Sequence, residues 1–248
     1  MRLASTLHLK VPDFSSRVLR PELIDAGNMP DEEVRRNLLD IRRINRIFGS
    51  QKLLLEVLEG QVSCHKLTRF SVLDIASGSC DLPFAILKWA QQQGLEAEVF
   101  ALEYWHRYLA LFRDELAAYP KLHPFSADAF HAPVPDRSFD FVTCSHFLHH
   151  LSEDQAVELL RMMSRWARRA IIVSDLERHP VPYYFFRLFN PFFTTCAMSR
   201  IDGLVSFEQA FRKEELLQTA SRAGLRNCMI KRRWPYRLLL VAEPFLAV

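Results

Sequence analysis

The spacing of apolar residues divides the chain into a helical amino-terminal part and a longer part in which strand-like and helix-like segments alternate. From Val34 to Phe48, apolar residues recur every three or four positions while arginines occupy the other faces, a pattern typical of an amphipathic helix. Gly49 interrupts the pattern, so we expect two helices, the first of which opens with the acidic stretch "MPDEEV". The basic face is expected to be solvated rather than to bind nucleic acid.

From Phe70 onward, short apolar runs typical of buried strands alternate with longer segments of helical periodicity. The predicted strands are "FSVLDI", "AEVFAL", "KLHPFSAD", "FDFVTCS" and "RAIIVSDL". Parallel strands need helical crossovers between them, so this alternation predicts a doubly wound, Rossmann-like α/β fold. Two further strands, "RNCMIKRRW" and "YRLLLVAE", are expected to add an antiparallel edge, which gives a seven-stranded, mostly parallel sheet.

The predicted sheet divides the chain into an amino-terminal helical segment, residues 1–60, and a main domain, residues 61–248. After the fifth strand the alternation breaks in the aromatic-rich stretch "PVPYYFFRLFNPFFTTCAMSRIDGLVSF". We interpret this stretch as an insertion over residues 179–210. Within it, Asp202 and Gly203 form a dipeptide typical of turns.

Composition narrows the class of protein. The chain of 248 residues is long enough for one large α/β domain, and a net charge of +3 gives no electrostatic case for nucleic acid as a partner. Five cysteines without a C-x-x-C pair indicate neither a disulfide framework nor a zinc ribbon. The amino terminus lacks the apolar core of a signal peptide and no apolar run approaches the length of a membrane span, so we expect a cytoplasmic protein.

Candidate binding residues stand where the first three predicted strands end. In doubly wound sheets, ligands bind at the carboxyl ends of the strands, where the strand order reverses. Gly78 follows the first strand and lets the backbone approach a ligand, while Asp81 is expected to cap the next helix. Glu103 ends the second strand and suits the hydroxyls of a ribose, and Asp128 ends the third and suits the amino group of an adenine.

The turn after the first strand, "IASGSCDLP", carries a single glycine. A pyrophosphate-binding turn uses several glycines so that backbone amides can reach the phosphates. The scarcity of glycine therefore disfavours a nicotinamide-dependent oxidoreductase. A cofactor with one cationic centre and no phosphate makes a smaller demand on such a turn.

Three features together resemble the class I S-adenosylmethionine-dependent methyltransferases, in particular the small-molecule branch related to quinone-biosynthesis enzymes. They are the stretch "VLDIASGSCDLP", Glu103 at the second strand end, and "SADAFHAPVPDRSFDFVTCSHFLHHL". The resemblance spans about residues 34–243 and implies S-adenosyl-L-methionine as the cofactor. Cys80 departs from the family, which commonly has glycine there, and its side chain is expected to crowd the turn.

The resemblance also implies roles for individual residues. The implied cofactor-binding residues are Asp74, Ala76, Ser77 and Gly78 around the methionine part, Glu103 at the ribose, Tyr104, Asp128 and Ala129 at the adenine, and Cys144 and Ser145 at the amino-acid end. The helices before the first strand resemble the lid that closes over the cofactor in this branch. Asn45 and Arg46 are the expected lid residues.

A histidine pair, His149 and His150, follows the fourth strand, where a methyl acceptor would lie. Histidine titrates near neutrality, so either residue is a candidate general base that removes a proton from a phenol or an enol. The alternative is that the pair only caps and packs the turn before the next helix. No metal site is predicted, because the local sequence places no carboxylate or cysteine partner beside the histidines.

The aromatic insertion supplies the candidate substrate residues Tyr183, Phe186, Phe189 and Arg200. It is expected to wall an apolar pocket, while burial in the core and peripheral contact with a membrane stay open as alternatives. The predicted function is methyl transfer to a small apolar acceptor of secondary metabolism, aromatic or polyketide-like, with oxygen favoured over carbon. The alternatives are a methyltransferase-like binding protein without activity and, less favoured, a nicotinamide-dependent oxidoreductase.

Overall fold

In the computed structural model, which describes residues 12–245, a seven-stranded sheet forms the centre of the protein. The sheet lies in the order β3-β2-β1-β4-β5-β7-β6, where β1 to β5 are parallel and β7 is antiparallel to both of its neighbours. The fold-class prediction is confirmed, and the antiparallel strand β7 lies one position inside the edge formed by β6. The strands are β1 (Arg69–Ile75), β2 (Glu96–Glu103), β3 (Leu122–Ser126), β4 (Phe139–Ser145), β5 (Ala167–Leu176), β6 (Arg226–Arg233) and β7 (Arg237–Glu243).

Helices flank the sheet and precede it along the chain. The predicted break at Gly49 is confirmed, since this residue has a φ of 71° between the first two helices. Among residues 12–245, no helix combines the length and the apolar character needed to cross a bilayer. The helices are α1 (Asp31–Ile47), α2 (Ser50–Cys64), α3 (Asp81–Gln92), α4 (His106–Ala110), α5 (Arg113–Ala117), α6 (Glu153–Trp166), α7 (Pro180–Phe193), α8 (Ala197–Gln209) and α9 (Lys213–Arg222), with single 3-10 turns at Leu23–Ala26 and Leu148–His150.

Apolar side chains are buried by helices on both faces of the sheet. On β1, Leu73 and Ile75 belong to the buried cluster on the side of α6 and α9, whereas Phe70 and Val72 belong to the cluster on the side of α1, α2 and α3. Because helices cover both faces, a ligand reaches the strands at the carboxyl edge of the sheet. The strand order reverses there between β1 and β4.

The aromatic insertion forms the helices α7 and α8. The prediction of a turn at Asp202 and Gly203 is wrong, because both residues lie inside α8. The Asp202 carboxylate instead accepts hydrogen bonds from the backbone N–H groups of Leu23 (2.8 Å) and Ile24 (3.1 Å). Asp202 thereby provides a hydrogen-bond acceptor for the backbone N–H groups at the start of the first 3-10 turn. These hydrogen bonds attach the amino-terminal segment to the insertion.

Gly203 allows α7 and α8 to pack closely. A Cβ atom at this position would lie 2.5 Å from two ring atoms of Phe186, so Gly203→Ala is expected to destabilise the protein by about 1–3 kcal/mol through overpacking. The matched control is Gly60→Ala in α2, where a Cβ atom would meet nothing within 4 Å and alanine should stabilise the helix by about 0.5–1 kcal/mol. Urea unfolding of both variants measures the difference, and equal stabilities would contradict the packing described.

The segment before α1 crosses the carboxyl edge of the sheet. The Arg17 guanidinium donates a hydrogen bond to the carbonyl oxygen of Gln209 (2.7 Å), at the end of α8. Farther along, the Tyr108 hydroxyl of α4 donates to the carbonyl oxygen of Ile24 (2.7 Å). These two attachments hold residues 22–25 across the ends of the strands.

Candidate active site

A cavity of about 610 Å³ opens at the carboxyl edge of the sheet, a volume typical of small-molecule sites. One half lies over the ends of β1, β2 and β3, and the other half lies over the ends of β4 and β5 and the start of β7. Residues 22–25, the helices α7 and α8, and residues 234–237 enclose the second half. The cavity therefore spans the point where the strand order reverses.

Glu103 holds the turn after β1 in place. Its carboxylate accepts hydrogen bonds from the backbone N–H groups of Gly78 (2.8 Å) and Trp105 (3.0 Å), one on each oxygen. The turn itself is left-handed at Ala76 and Gly78, which both have a φ of 54°. Burial raises the pKa of Glu103, although these backbone hydrogen bonds oppose the shift. The fixed carboxylate keeps free lone pairs on both oxygens for a ligand in the cavity.

Asp74 lies at the bottom of the same half of the cavity. Its carboxylate accepts a hydrogen bond from Thr143 Oγ1 (2.7 Å) on the neighbouring strand β4, and its carbonyl oxygen accepts one from Ser77 Oγ (2.9 Å). Burial raises the pKa of Asp74 to about 7. A cation bound nearby would favour the ionised carboxylate, so this buried acid suits a positively charged ligand.

The side chain of Cys80, which is expected to crowd the turn, lies outside the cavity. Its side chain is fully buried in the cluster on the side of α1 to α3 and does not line the cavity. Burial raises the pKa of its thiol, which keeps the sulfur protonated and unreactive. The residue has a φ of 61°, a left-handed conformation that favours glycine.

Asp81 connects the turn to the amino-terminal helices rather than capping a helix. Helix α3 begins at Asp81, and the preceding Cys80 occupies the capping position. The Asp81 carboxylate accepts hydrogen bonds from Asn45 Nδ2 (3.0 Å) and Gln51 Nε2 (2.9 Å). Asn45 lines the cavity, as expected of a lid residue, whereas the side chain of Arg46 lies outside it.

Asp128 stands at the margin of the first half of the cavity. Its carboxylate accepts a hydrogen bond from the backbone N–H of Phe130 (2.9 Å) and lies 2.8 Å from His131 Nδ1. The neighbouring Ala129 is buried, while Tyr104 is largely exposed at the mouth. The pair of Asp128 and Ala129 offers a hydrogen-bond acceptor beside an apolar surface.

His149 is buried between two carboxylates. Its Nδ1 lies 2.6 Å from Asp175 Oδ1, and its Nε2 lies 3.6 Å from Glu22 Oε1. Burial by itself would lower the pKa of His149, but these two carboxylates outweigh it and raise the pKa to about 10. At neutral pH this side chain is therefore an imidazolium that positions Glu22, not a free base.

His150 faces the cavity beside His149 with a different set of neighbours. Its Nδ1 lies 3.0 Å from Asp25 Oδ2, and its Nε2 lies 3.9 Å from Glu22 Oε2. A carboxylate on Nδ1 selects the tautomer in which Nδ1 carries the proton and Nε2 has the free lone pair. That lone pair is available to a molecule in the cavity.

The carboxylates around the histidine pair also change the expectation about metals. Ligand atoms of Glu22, His149 and His150 lie within 4.8 Å of one another, close enough to share a metal ion. The local sequence shows no acid beside the histidines, but folding brings Glu22 to them. The local-sequence argument against a metal therefore does not hold for the folded chain.

His146, the third histidine of the stretch, is part of the wall. Its Nε2 lies 3.1 Å from Ser50 Oγ and 3.2 Å from Arg237 Nη1. Burial and the Arg237 charge lower the pKa of His146 to about 3. The neutral ring thus accepts a hydrogen bond from Arg237 and links the start of α2 to β7.

Most of the predicted site residues meet at the cavity. Those that line it are Asp74, Ala76, Ser77, Gly78, Glu103, Tyr104, Asp128, Ala129, Ser145, His149, His150 and Phe186. Four others do not, and their predicted contacts with a ligand are corrected: Cys144, Tyr183, Phe189 and Arg200. Side chains alternate along β4, so Cys144 faces the core where Ser145 faces the cavity. Tyr183 packs on Phe14, Phe189 packs on Phe185, and Arg200 donates to Thr194 Oγ1.

The sequence did not predict the acidic residues and several aromatic residues at the second half of the cavity. Asp175 precedes the last residue of β5, so the strand-end rule applied to Glu103 would have found it. Glu22 and Asp25 carry no comparable signal, because Asp25 reaches His150 across 125 positions of the chain. Trp234 and Tyr236, between β6 and β7, likewise line the cavity without a motif that marks them.

Comparison with known proteins gives the fold and a family for part of the chain. Residues 72–170 match the family model of a methyltransferase domain. Human N-acetylserotonin methyltransferase in complex with SAM is similar over 92% of this chain and 60% of its own, with a TM-score of 0.64 at 14% identity. A SAM-dependent methyltransferase from Aquifex aeolicus is similar over 87% of this chain and 98% of its own, with a TM-score of 0.59 at 16% identity.

A further similar structure is that of a putative O-methyltransferase from Nostoc punctiforme PCC 73102 (TM-score 0.57, 18% identity, 79% of this chain). The chain spans 56% of the length of that protein and 60% of the human one. No curated protein sequence matches the chain. At these identities, the likeness to solved structures establishes the fold.

Proposed function

We propose that this chain is an S-adenosylmethionine-dependent methyltransferase of class I fold that transfers a methyl group from that cofactor to an oxygen of a small apolar acceptor, aromatic or polyketide-like, in secondary metabolism. One observation carries the proposal. A single cavity joins strand-end groups suited to an adenosine with an aromatic chamber lined by two histidines and two carboxylates, and a third carboxylate, that of Asp175, lies behind His149.

The first half of the cavity fits the cofactor. Glu103 keeps lone pairs free for the two ribose hydroxyls while the backbone of Gly78 and Trp105 holds it still. Asp128 offers an acceptor to the adenine amino group. The turn from Ala76 to Gly78 and the buried Asp74 suit the cationic methionine part. The single glycine of the turn disfavours a pyrophosphate in this half.

The second half of the cavity fits an apolar acceptor with one ionisable group. Its walls are aromatic or aliphatic side chains from α7, α8 and the loop before β7, among them Phe185, Phe186, Phe207, Trp234 and Tyr236. The polar groups of its lining include the histidine pair with Glu22 and Asp25. Such a distribution orients a hydroxyl toward the histidines and the rest of the molecule toward the aromatic wall.

The histidine pair supports oxygen as the accepting atom. A phenol or enol must lose its proton as the oxygen attacks, and a positioned base speeds that loss. We assign proton uptake to His150 Nε2, with Asp25 fixing the ring through Nδ1. His149 has a positioning role, because it is held between Asp175 and Glu22 and directs the Glu22 carboxylate into the cavity.

Methyl transfer then requires mainly alignment. S-adenosylmethionine, when bound, would supply a sulfonium methyl group, whose carbon the acceptor oxygen attacks in line while the thioether leaves. The strand-end residues hold one reactant, the aromatic wall holds the other, and residues 22–25 with α7 exclude water from the chamber. His150 receives the proton of the acceptor hydroxyl at Nε2 while Asp25 holds the ring at Nδ1.

The accepting atom is tested by supplying cofactor with a deuterated methyl group and a set of soluble phenols and polyketide lactones. Mass spectrometry and NMR of the products are expected to show deuterium in a methoxy group. Deuterium on a ring carbon would contradict oxygen as the accepting atom. Absence of transfer to every acceptor, with cofactor bound, would favour the binding protein without activity.

We also propose a reducing compartment, the cytoplasm, for the protein. All five cysteines are unpaired in the part of the chain that the structure describes, and two of them, Cys80 and Cys144, are buried. Disulfides are rare in reducing compartments, and this distribution agrees with one.

A further inference from the structure

Helix α7 presents an apolar strip to solvent. Val181, Phe185, Leu188 and Phe192 follow one another at helical spacing, and their exposed fractions are 53%, 43%, 69% and 78%. Tyr184 and Phe189 widen the strip on its two sides. Isolated exposed apolar residues are ordinary, but a contiguous strip of this kind marks an interaction surface.

The strip continues into the acceptor half of the cavity. Val181 and Phe185 are exposed and also line the cavity, and the next residue, Phe186, is buried against it. Phe185 meets Phe48 at the end of α1, with the ring centroids 6.3 Å apart. An apolar molecule can therefore pass from the outer strip to the histidine pair along a continuous apolar surface.

The two chain segments that form the strip and its neighbour on α1 are basic in sequence. Neither residues 179–201, which contain α7, nor residues 41–55, which contain the end of α1 and the start of α2, include an aspartate or a glutamate. Three arginines lie in these segments without an ion pair among the described residues: Arg46, Arg187 and Arg200. The net charge of the whole chain is only +3, so this excess of positive charge is local.

We propose that the α7 strip and its arginines dock on an anionic membrane surface, from which an amphiphilic acceptor with a hydroxylated head and an apolar tail enters the cavity. Exposed aromatic and aliphatic side chains bury into the interface of a bilayer, and neighbouring cations are attracted to anionic headgroups. The proposal about the acceptor rests on the proposed function. The docking surface stands on the exposure and charge of these residues alone.

The test is co-sedimentation of the full chain with vesicles of phosphatidylcholine, with and without phosphatidylglycerol. Binding is expected with the anionic vesicles and is expected to weaken as salt is raised. The double variant Leu188→Glu with Phe192→Glu should bind at least about tenfold less, since two charges would enter the apolar side of the interface. Leu217→Glu on α9, where the leucine is 41% exposed outside the strip, is the matched control and should bind like the parent chain.

Two further measurements distinguish a failure of the docking proposal from a failure of the proposed function. The double variant should bind S-adenosylhomocysteine and methylate a soluble acceptor like the parent chain, because neither Leu188 nor Phe192 lines the cavity. Failure of the parent chain to bind anionic vesicles, or equal binding by the double variant, would overturn the docking proposal and leave the proposed function intact. A dimer in analytical ultracentrifugation that the double variant abolishes would also overturn it, since the strip would then be an interface between copies.

Discussion

Replacing His150 by alanine is expected to lower kcat by about 10²- to 10⁴-fold, the usual loss when a positioned base is removed. The ring has two polar neighbours, Asp25 at Nδ1 and Glu22 near Nε2, and its side chain is 18% exposed at the cavity. Removal leaves room for water and does not open the core. The affinity for S-adenosylhomocysteine should therefore stay within about twofold of the parent value, because the residues assigned to the cofactor are untouched.

Two variants separate proton uptake from positioning. His150→Gln can still donate to Asp25 but has no basic nitrogen, so it should lose kcat to nearly the same extent. His123→Ala is the control, because this histidine on β3 has a side chain 41% exposed away from the cavity. A glutamine variant with nearly full activity would show that the ring only positions its neighbours.

Treatment with a chelator distinguishes direct proton uptake by His150 from binding of a metal ion at the histidine pair and Glu22. If His150 acts directly, treating the parent enzyme with EDTA should leave kcat unchanged. Loss of activity that a divalent cation restores would instead assign Glu22, His149 and His150 as metal ligands. The assignment of His150 as the proton acceptor would then be wrong.

Replacing Glu103 by glutamine is expected to weaken S-adenosylhomocysteine binding by about 10- to 100-fold. The carboxylate accepts from Gly78 N and Trp105 N with one oxygen each, and an amide has only one oxygen. One backbone N–H would therefore face an N–H₂ group, and the turn would lose a charge-assisted hydrogen bond worth about 1.5–3 kcal/mol. The same change removes an acceptor for the ribose.

Glu98→Gln provides the matched control for Glu103→Gln. Glu98 lies on the same strand, but its side chain is 47% exposed and pairs with Lys121 at 2.8 Å. Calorimetric titration should give this control the affinity of the parent chain. Equal affinities for both variants would mean that Glu103 does not hold the cofactor.

The site residues that the sequence predicted correctly are those whose position follows from a local pattern of apolar residues. Strand-end acids such as Asp74 and Glu103 follow directly from reading buried strands, because parallel strands bring their carboxyl ends to one edge. The same logic extends to Asp175 at the end of β5. The side on which a strand residue points was harder to assign, and Cys144 was assigned to the cavity although its neighbour Ser145 faces it.

The site residues that the sequence did not predict contact partners that are far away along the chain. Glu22 reaches His149 because Asp202 and Tyr108 fix the segment around it, and none of these contacts leaves a periodic signal. Asp202 and Gly203 form a dipeptide that is typical of turns. Tertiary packing nevertheless places both residues inside helix α8. Gly203 is needed because the ring of Phe186 packs against α8 at that position. Asp202 is needed because its carboxylate accepts hydrogen bonds from the backbone N–H groups of the first 3-10 turn.

We expect the carboxyl edge of this sheet to bind S-adenosylmethionine and not a dinucleotide. Calorimetric titration of the full chain with S-adenosylhomocysteine, and separately with NAD, tests it most directly. We expect one-to-one binding of S-adenosylhomocysteine and no measurable heat with NAD. Absence of S-adenosylhomocysteine binding at high micromolar concentration, or tighter binding of NAD, would contradict it.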